Sequence, residues 1–405
     1  MKITLINHSD TRGGASVVTL RLMEALRALG HDARMLVVHK ASENPYVEVA
    51  APAWRAKIPF LAEHLQIFTA NGFDRGDLFK VSTASAGLPL ASHPLVRGAD
   101  AALLGWVNQG ILSLKGIARI AAERPVLWTM HDMWNMTGIC HHAGTCDRYK
   151  HTPGCGDCPF IHRKPSDTDL SRRVWEAKQE LYNSKIGFVA VSSWLENCAR
   201  HSSLMADCRL FRIPNAFPVE SFTATPTRSR RELGLPEDKK LIVMGAARLD
   251  DPVKGLPYAV EVLNALGCAD AAAVFFGNLR DTNALNALRL PYVWLGPVAD
   301  PRDIYAHASA VISTSLYETL PGTLIEGQAA GCTPIAFDSG GQRDIISSPS
   351  EGYLIKPYDT AAFAAALSAA LDNPLDADSL RESVSAKFSA KAVAEAYIDL
   401  LSRLG

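Results

Sequence analysis

The feature that most constrains this chain is a strand–loop–helix–strand rhythm that runs through it twice. A short apolar run at residues 3–7 leads into a loop containing Gly13 and Gly14. Val18, Leu22, Ala25, Leu26 and Leu29 then recur at helical spacing, Gly30 stops the helix, and a second apolar run occupies 35–38. Two strands joined through a helix lie parallel, with helices covering the sheet. Further buried-strand runs stand at 103–107, 126–130 and 188–191. The rhythm restarts with runs at 241–244, 273–276, 293–295, 310–313 and 334–337, each followed by helix signals. Between the two series, 214–240 carries Pro214, Pro218, Pro226 and Pro236 and a charged run at 227–231, which reads as a linker. The pattern predicts an α/β chain of two Rossmann-like, doubly wound parallel-sheet domains, and 405 residues is enough for two cores. The boundaries fall at 1–215 and 216–387, with a C-terminal helix from about 388 to 405 packing back on the first domain.

Forty-one basic residues nearly balance 42 acidic ones, so no whole-chain field draws the protein to nucleic acid. The N-terminus turns polar too soon for a signal peptide and no run of 18 apolar residues occurs, so a cytoplasmic protein is expected. Residues 41–98 are less legible. They mix proline with Trp54, Arg55, Lys57, Phe60, Phe68, Phe73, Phe79 and Lys80, and read as a surface insertion, an acceptor groove or a contact with a membrane surface.

In doubly wound domains ligands bind beyond the carboxyl ends of the strands, so the loops there are the place to look. After the run at 241–244, Arg248 and Lys254 put a guanidinium fork and an ammonium on one loop, a pair that suits a diphosphate. They serve equally as surface cations paired with Asp250 and Asp251. After 310–313, Glu318 precedes Pro321 and Gly322, while Thr323 opens a helix with Glu326 in its first turn. A loop carboxylate can hold sugar hydroxyls, a first-turn carboxylate can hold a ribose, and the helix N–H groups between them suit phosphate. Alternatively, Thr323 and Glu326 form a capping box.

Arg-x5-Lys-Gly, then Glu-x7-Glu, then the stretch 331–335 Gly-Cys-Thr-Pro-Ile resemble family 4 of the GT-B retaining glycosyltransferases. Residues 126–134 with His131, followed by Thr137, Gly138 and a cysteine cluster, resemble the colanic-acid and exopolysaccharide subgroup. The resemblance implies two domains facing a central cleft, the first for acceptor and the second for nucleotide-sugar donor. It implies catalytic roles for His131, Arg248, Lys254 and Glu318. Donor binding would fall to Gly13, Gly14, Asn215, Arg248, Lys254, Thr319, Leu320, Pro321, Gly322, Thr323 and Glu326. The implied reaction moves a hexose or deoxyhexose, with retention, from a UDP- or GDP-sugar to a glycan or lipid-linked oligosaccharide in surface polysaccharide synthesis. No catalytic metal is expected, and the protein would work in the cytoplasm or peripherally at the inner membrane face. A sugar-nucleotide epimerase, a glucan-synthase-like enzyme and a non-catalytic sugar-nucleotide-binding subunit are the other readings.

Cys140, Cys146, Cys155 and Cys158 lie within 19 residues in a glycine-rich loop. They read as ligands for a structural zinc, as reduced thiols or as two disulfides. Asp167 and Asp169 read as a solvated turn.

Overall fold

A computed structural model describes residues 1–161, 166–182, 186–223 and 225–404. Its contacts divide the chain into two units, Met1–Ala216 with Val393–Gly405, and Phe217–Ala392.

The first unit is built on β1 (Lys2–Ser9), β2 (Asp32–His39), β3 (Val47–Val49), β4 (Ala101–Leu104), β5 (Val126–Met130), β6 (Ile186–Ala190) and β7 (Arg209–Arg212). These form one parallel sheet in the order β3-β2-β1-β4-β5-β6-β7. Its central strands read Ile-Thr-Leu-Ile, Ala-Ala-Leu-Leu and Val-Leu-Trp-Thr-Met and are buried on both faces, as a sheet covered by helices on each side requires. The helix α1 (Gly14–Ala28) connects β1 to β2 and buries Val18, Leu22, Met23 and Leu26. The terminal helix Ala390–Leu404 groups with this unit from Val393 onward, where the buried Tyr397 hydroxyl meets Thr129 Oγ1 at 2.8 Å.

Residues 41–98 hold a long helix the sequence pattern does not disclose, α2 (Ala53–Ala70). It buries Ala56, Pro59, Glu63 and Ile67 but leaves Trp54, Ile58, Leu61 and Leu65 outside. Apolar residues on two opposite faces cancel the amphipathic signal on which helix recognition depends.

The second unit contains β8 (Lys240–Arg248), β9 (Ala271–Asn278), β10 (Tyr292–Trp294), β11 (Ala310–Ser313), β12 (Thr333–Phe337) and β13 (Tyr353–Ile355). They form a parallel sheet ordered β10-β9-β8-β11-β12-β13. Both sheets therefore reverse winding beside their own first strand, between β1 and β4 and between β8 and β11, which is where doubly wound sheets open a crevice. The charged run at 227–231 does not behave as a free linker. Thr227 N and Arg228 Nε donate to Asp303 at 2.7 and 2.8 Å, and Arg230 Nη1 to the carbonyls of Pro236 and Lys239, which fastens the run to the second unit. Among the described residues no helix is long and apolar enough to cross a membrane.

Candidate functional site

In the second unit, the loops after β8, β11 and β12 are laced into one layer at the carboxyl edge of the sheet. Leu316 N donates to Val253 O at 2.8 Å, and Thr314 Oγ1 donates to Gly255 O at 3.0 Å. Ser339 Oγ donates to Ser315 O at 2.6 Å, and Gly341 N to Glu318 O at 2.9 Å. Two glycines allow this closeness. Gly255 has φ +66°, and a Cβ there would stand 2.1 Å from Thr314 O; at Gly340 a Cβ would stand 2.0 Å from Glu318 O.

This lacing brings Lys254 and Glu318 together, with Nζ donating to Oε1 at 2.5 Å. One reading of the sequence gave Lys254 its neighbouring aspartates as partners; the partner is the carboxylate from the β11 loop. Arg248 lies at the end of β8 rather than in the loop beyond, because a bulge between Gly245 and Arg248 carries the strand four residues past 244. Its guanidinium pairs with Asp251 at 2.8 Å and approaches Asp250 at 3.6 Å, the arrangement expected of a paired surface cation. Asp250 is itself held by the amides of Asp281 and Arg280, which keep its carboxyl below the usual range. Two partly exposed cations thus sit at the edge of the crevice, each held by a carboxylate.

The helix after Glu318 is Gly322–Ala329, preceded by Pro321 as N-cap with no side-chain cap. Thr323 is its second residue and Glu326 its fifth, so neither part of the expected capping box forms and Glu326 lies beyond the first turn. The helix starts at Gly322, directly after Pro321 and ahead of Thr323. Thr319, Gly322, Thr323 and Glu326 are half-buried, while Leu320 and Pro321 are buried in the turn that aims the helix.

In the first unit Gly13 is the N-cap of α1 and Gly14 its first residue. A Cβ on either would meet nothing within 4 Å, so open space lies before that helix terminus. His131 follows β5 and lines a small cavity with Thr19, Gly105, Thr129, Asn215 and Tyr397, which brings His131 and Asn215 together. Burial drives the imidazole pKa of His131 down to about 4, against the opposing pull of Asp132, so the ring is neutral near pH 7.

A network that sequence reasoning missed anchors this loop. Asp132 Oδ2 accepts from Trp106 Nε1 at 2.9 Å and from His141 Nδ1 at 2.7 Å, while Oδ1 accepts from Trp134 N at 2.8 Å. Ser82 Oγ stands 3.0 Å from His141 Nε2. Burial alone would raise the Asp132 carboxyl, but His141 and these bonds bring it down to about 2. Beneath the turn, the buried Lys178 Nζ donates to the carbonyls of Trp134 and Thr137. The four segments meet only in the fold; the one local signal was Asp132 directly after His131.

Among the described residues no group of three or more His, Cys, Asp or Glu side chains is placed to hold an ion, and Cys140, Cys146, Cys155 and Cys158 are all free thiols. Cys140 and Cys158 pack among Ile67, Val81, Ile139, Ile161, Leu170 and Val174, and Cys155 Sγ accepts from Gly138 N. Burial pushes the Cys140 thiol up to about 12. Neither zinc nor disulfides is supported. Asp169 is likewise no solvated residue. It is buried and accepts from Cys158 N and Ser171 N, both at 2.8 Å, fastening the cysteine loop to the helix Leu170–Tyr182.

Residues 238–373, which contain Arg248, Lys254, Glu318 and Glu326, match the family described as glycosyl transferases group 1. Over 286 residues the chain is 23% identical to a protein of Escherichia coli named colanic acid biosynthesis glycosyl transferase WcaC, covering 67% of this chain and 65% of that one. It is 27% identical over 259 residues to D-inositol 3-phosphate glycosyltransferase of Corynebacterium jeikeium, covering 59% of each. The chain thus spans about two thirds or less of the length of these curated relatives. Its fold matches the crystal structure of Anabaena HepE in complex with UDP-glucose, with a TM-score of 0.66 at 16% identity over the whole of both chains.

Proposed function

From a group 1 glycosyltransferase domain carried on a GT-B fold, we propose that this enzyme transfers a hexose or deoxyhexose, with retention, from a nucleoside diphosphate sugar to a glycan or lipid-linked acceptor in surface polysaccharide synthesis. The observation that carries the proposal is the Lys254–Glu318 pair formed between the loops after β8 and β11, at the winding reversal of the second sheet, with Arg248 at the end of β8. A diphosphate there would exchange the Asp251 contact of Arg248 for a bidentate phosphate contact, and Lys254 can keep Glu318 while its other N–H groups take phosphate oxygen. Both cations then offset the charge that develops on the departing diphosphate. The paired carboxylate fixes Lys254 and presents its second oxygen to sugar hydroxyls. Glu326 takes the ribose, and the Gly322 and Thr323 amides before it take phosphate. Thr319, Leu320 and Pro321 shape that turn.

His131, neutral and next in the chain to Asp132, is assigned to the transferred sugar, and Asn215 on the same cavity supports the same end. The open space before α1 leaves room for a phosphate at Gly13 and Gly14. The first unit is assigned to the acceptor and the second to the donor, with work at the cytoplasmic face of a membrane. A uridine donor is favoured because a relative of the same fold is known in complex with UDP-glucose.

The test is a melting-temperature panel of UDP-, GDP-, ADP- and dTDP-sugars, since a ligand of the native state raises stability by mass action. UDP-sugars are expected to give the largest rise; no rise with any sugar nucleotide would remove the donor assignment.

A further inference from the structure

One surface of the first unit contradicts the rule that a helix turns its apolar side to the core. Along α2, Trp54, Ile58, Leu61 and Leu65 are 62, 59, 61 and 61% exposed. At 3.6 residues per turn these four positions fall within about 60° of one another. The buried Ala56, Pro59, Glu63 and Ile67 occupy the opposite side. The outward stripe continues past the helix. Phe68 meets Phe73 at 5.4 Å between ring centroids, and His64 meets Phe79 at 5.1 Å, with Phe73 and Phe79 also more than half exposed. Single exposed leucines are ordinary, whereas a contiguous stripe of six large apolar side chains marks a surface that something covers.

The charges around the stripe identify the occupant. Arg55 and Lys57 flank it on α2, Arg55 lying over the Trp54 ring at 5.0 Å, and Arg75 lies over Phe68 at 5.9 Å. Of the nearby acids one is buried and one is paired, while Asp74 stays exposed beside Phe73. Glu63 faces inward, accepting from Thr83 N and Ala84 N at 2.6 and 3.0 Å. Asp77 is paired with Lys80 at 2.8 Å, and Asp74 accepts from Gly76 N. Aromatic and leucine side chains bordered by cations match an anionic lipid surface, where the apolar face enters the acyl boundary and the cations remain among phosphates. A second copy fits less well. Six side chains of this kind cover on the order of 600 Å², short of the roughly 800 Å² per partner of a stable protein interface.

We propose that the outward face of α2, with Phe73 and Phe79, is a lipid-surface contact that seats the first unit on an anionic membrane. This deepens the membrane part of the function proposed above. Nucleotide binding is measured separately, so that either reading can fail alone.

The experiment is co-sedimentation of the full chain with phosphatidylcholine vesicles and with vesicles containing phosphatidylglycerol, at low and high salt, alongside UDP titration. Wild type is expected to sediment with anionic vesicles and to be released partly by salt. The double substitution Leu61→Gln with Leu65→Gln is expected to weaken vesicle binding at least about tenfold, with melting temperature and UDP affinity unchanged. Arg55→Glu with Lys57→Glu tests the same face through charge and should abolish the preference for anionic vesicles. No sedimentation of wild type, or equal sedimentation of the leucine variant, overturns the proposal. So does a concentration-dependent dimer that the leucine variant abolishes in the absence of vesicle binding, which would give the face to a second copy.

Discussion

At the scale of single residues, the second unit presents cations that are already paired. Arg248→Ala and Lys254→Ala should each weaken UDP binding about ten- to a hundredfold, because a charge-assisted hydrogen bond contributes roughly 1.5–3 kcal/mol. Isothermal titration of UDP checks this, and unchanged affinity in both folded variants would remove the donor site from this loop. The two glutamates should fail differently. Glu318→Gln keeps an acceptor for Lys254 but removes the charge that fixes it, so turnover should fall more than affinity for free UDP. Glu326→Gln should weaken UDP itself, a loss the same titration reads. Equal loss of UDP affinity in both would end this division of roles. Arg248, Lys254, Glu318 and Glu326 were singled out as candidates by their order along the chain. Their pairing was not, because Lys254 and Glu318 lie 64 positions apart and meet only once β8 and β11 are neighbours.

At the scale of elements, α2 is fastened by a buried carboxylate rather than by an apolar stripe alone. Glu63 satisfies two backbone amides of the 81–84 segment, so Glu63→Ala would leave both N–H groups buried without a partner. A loss of about 2–4 kcal/mol in denaturant unfolding is expected, and a loss under 0.5 kcal/mol would show that the helix is held by packing alone. The loops of the second unit depend on close backbone approach instead. Gly340→Ala should separate the Glu318 loop from the β12 loop and lower transfer activity more than stability, read from steady-state rates beside melting curves. Strands with a continuous apolar run were visible in the sequence, whereas α2 and the start of the helix at Gly322 were not. In the first case both faces are apolar; in the second the helix starts directly after Pro321, ahead of the threonine that pattern reasoning favours.

For the whole molecule, acid should be the sensitive direction. Burial lowers the imidazole pKa of His8 and His131 to about 4, against an ordinary 6.5. Between those values the unfolded chain binds more protons than the native one, so stability falls as pH drops from about 6.5 to 4. Asp132, brought to about 2, adds stability that is present above the ordinary 3.8 and lost below it. Melting temperature should therefore decline from pH 7 to 4.5, and His131→Gln should flatten that decline. An unaltered slope in the variant would mean that the ring is not buried as a neutral group.

The sequence by itself determined the two parallel-sheet units and the strand-end loops that carry the charged residues, because helical and strand periodicities are local and the doubly wound topology follows from their order. Tertiary structure alone decided which groups meet. The cysteine loop shows the difference. Four thiols within 19 residues suggested a metal, yet the fold turns two of them into an apolar cluster with Ile67 and Val174, and among the described residues no group is placed to hold an ion. The same holds for Asp132, which joins its own turn at Trp134 to Trp106 and His141, and for α2, whose outward apolar face exists only once its other face is buried. Spacing along a chain sets which residues share an element; which side of that element faces water is set by the neighbours that cover the other side.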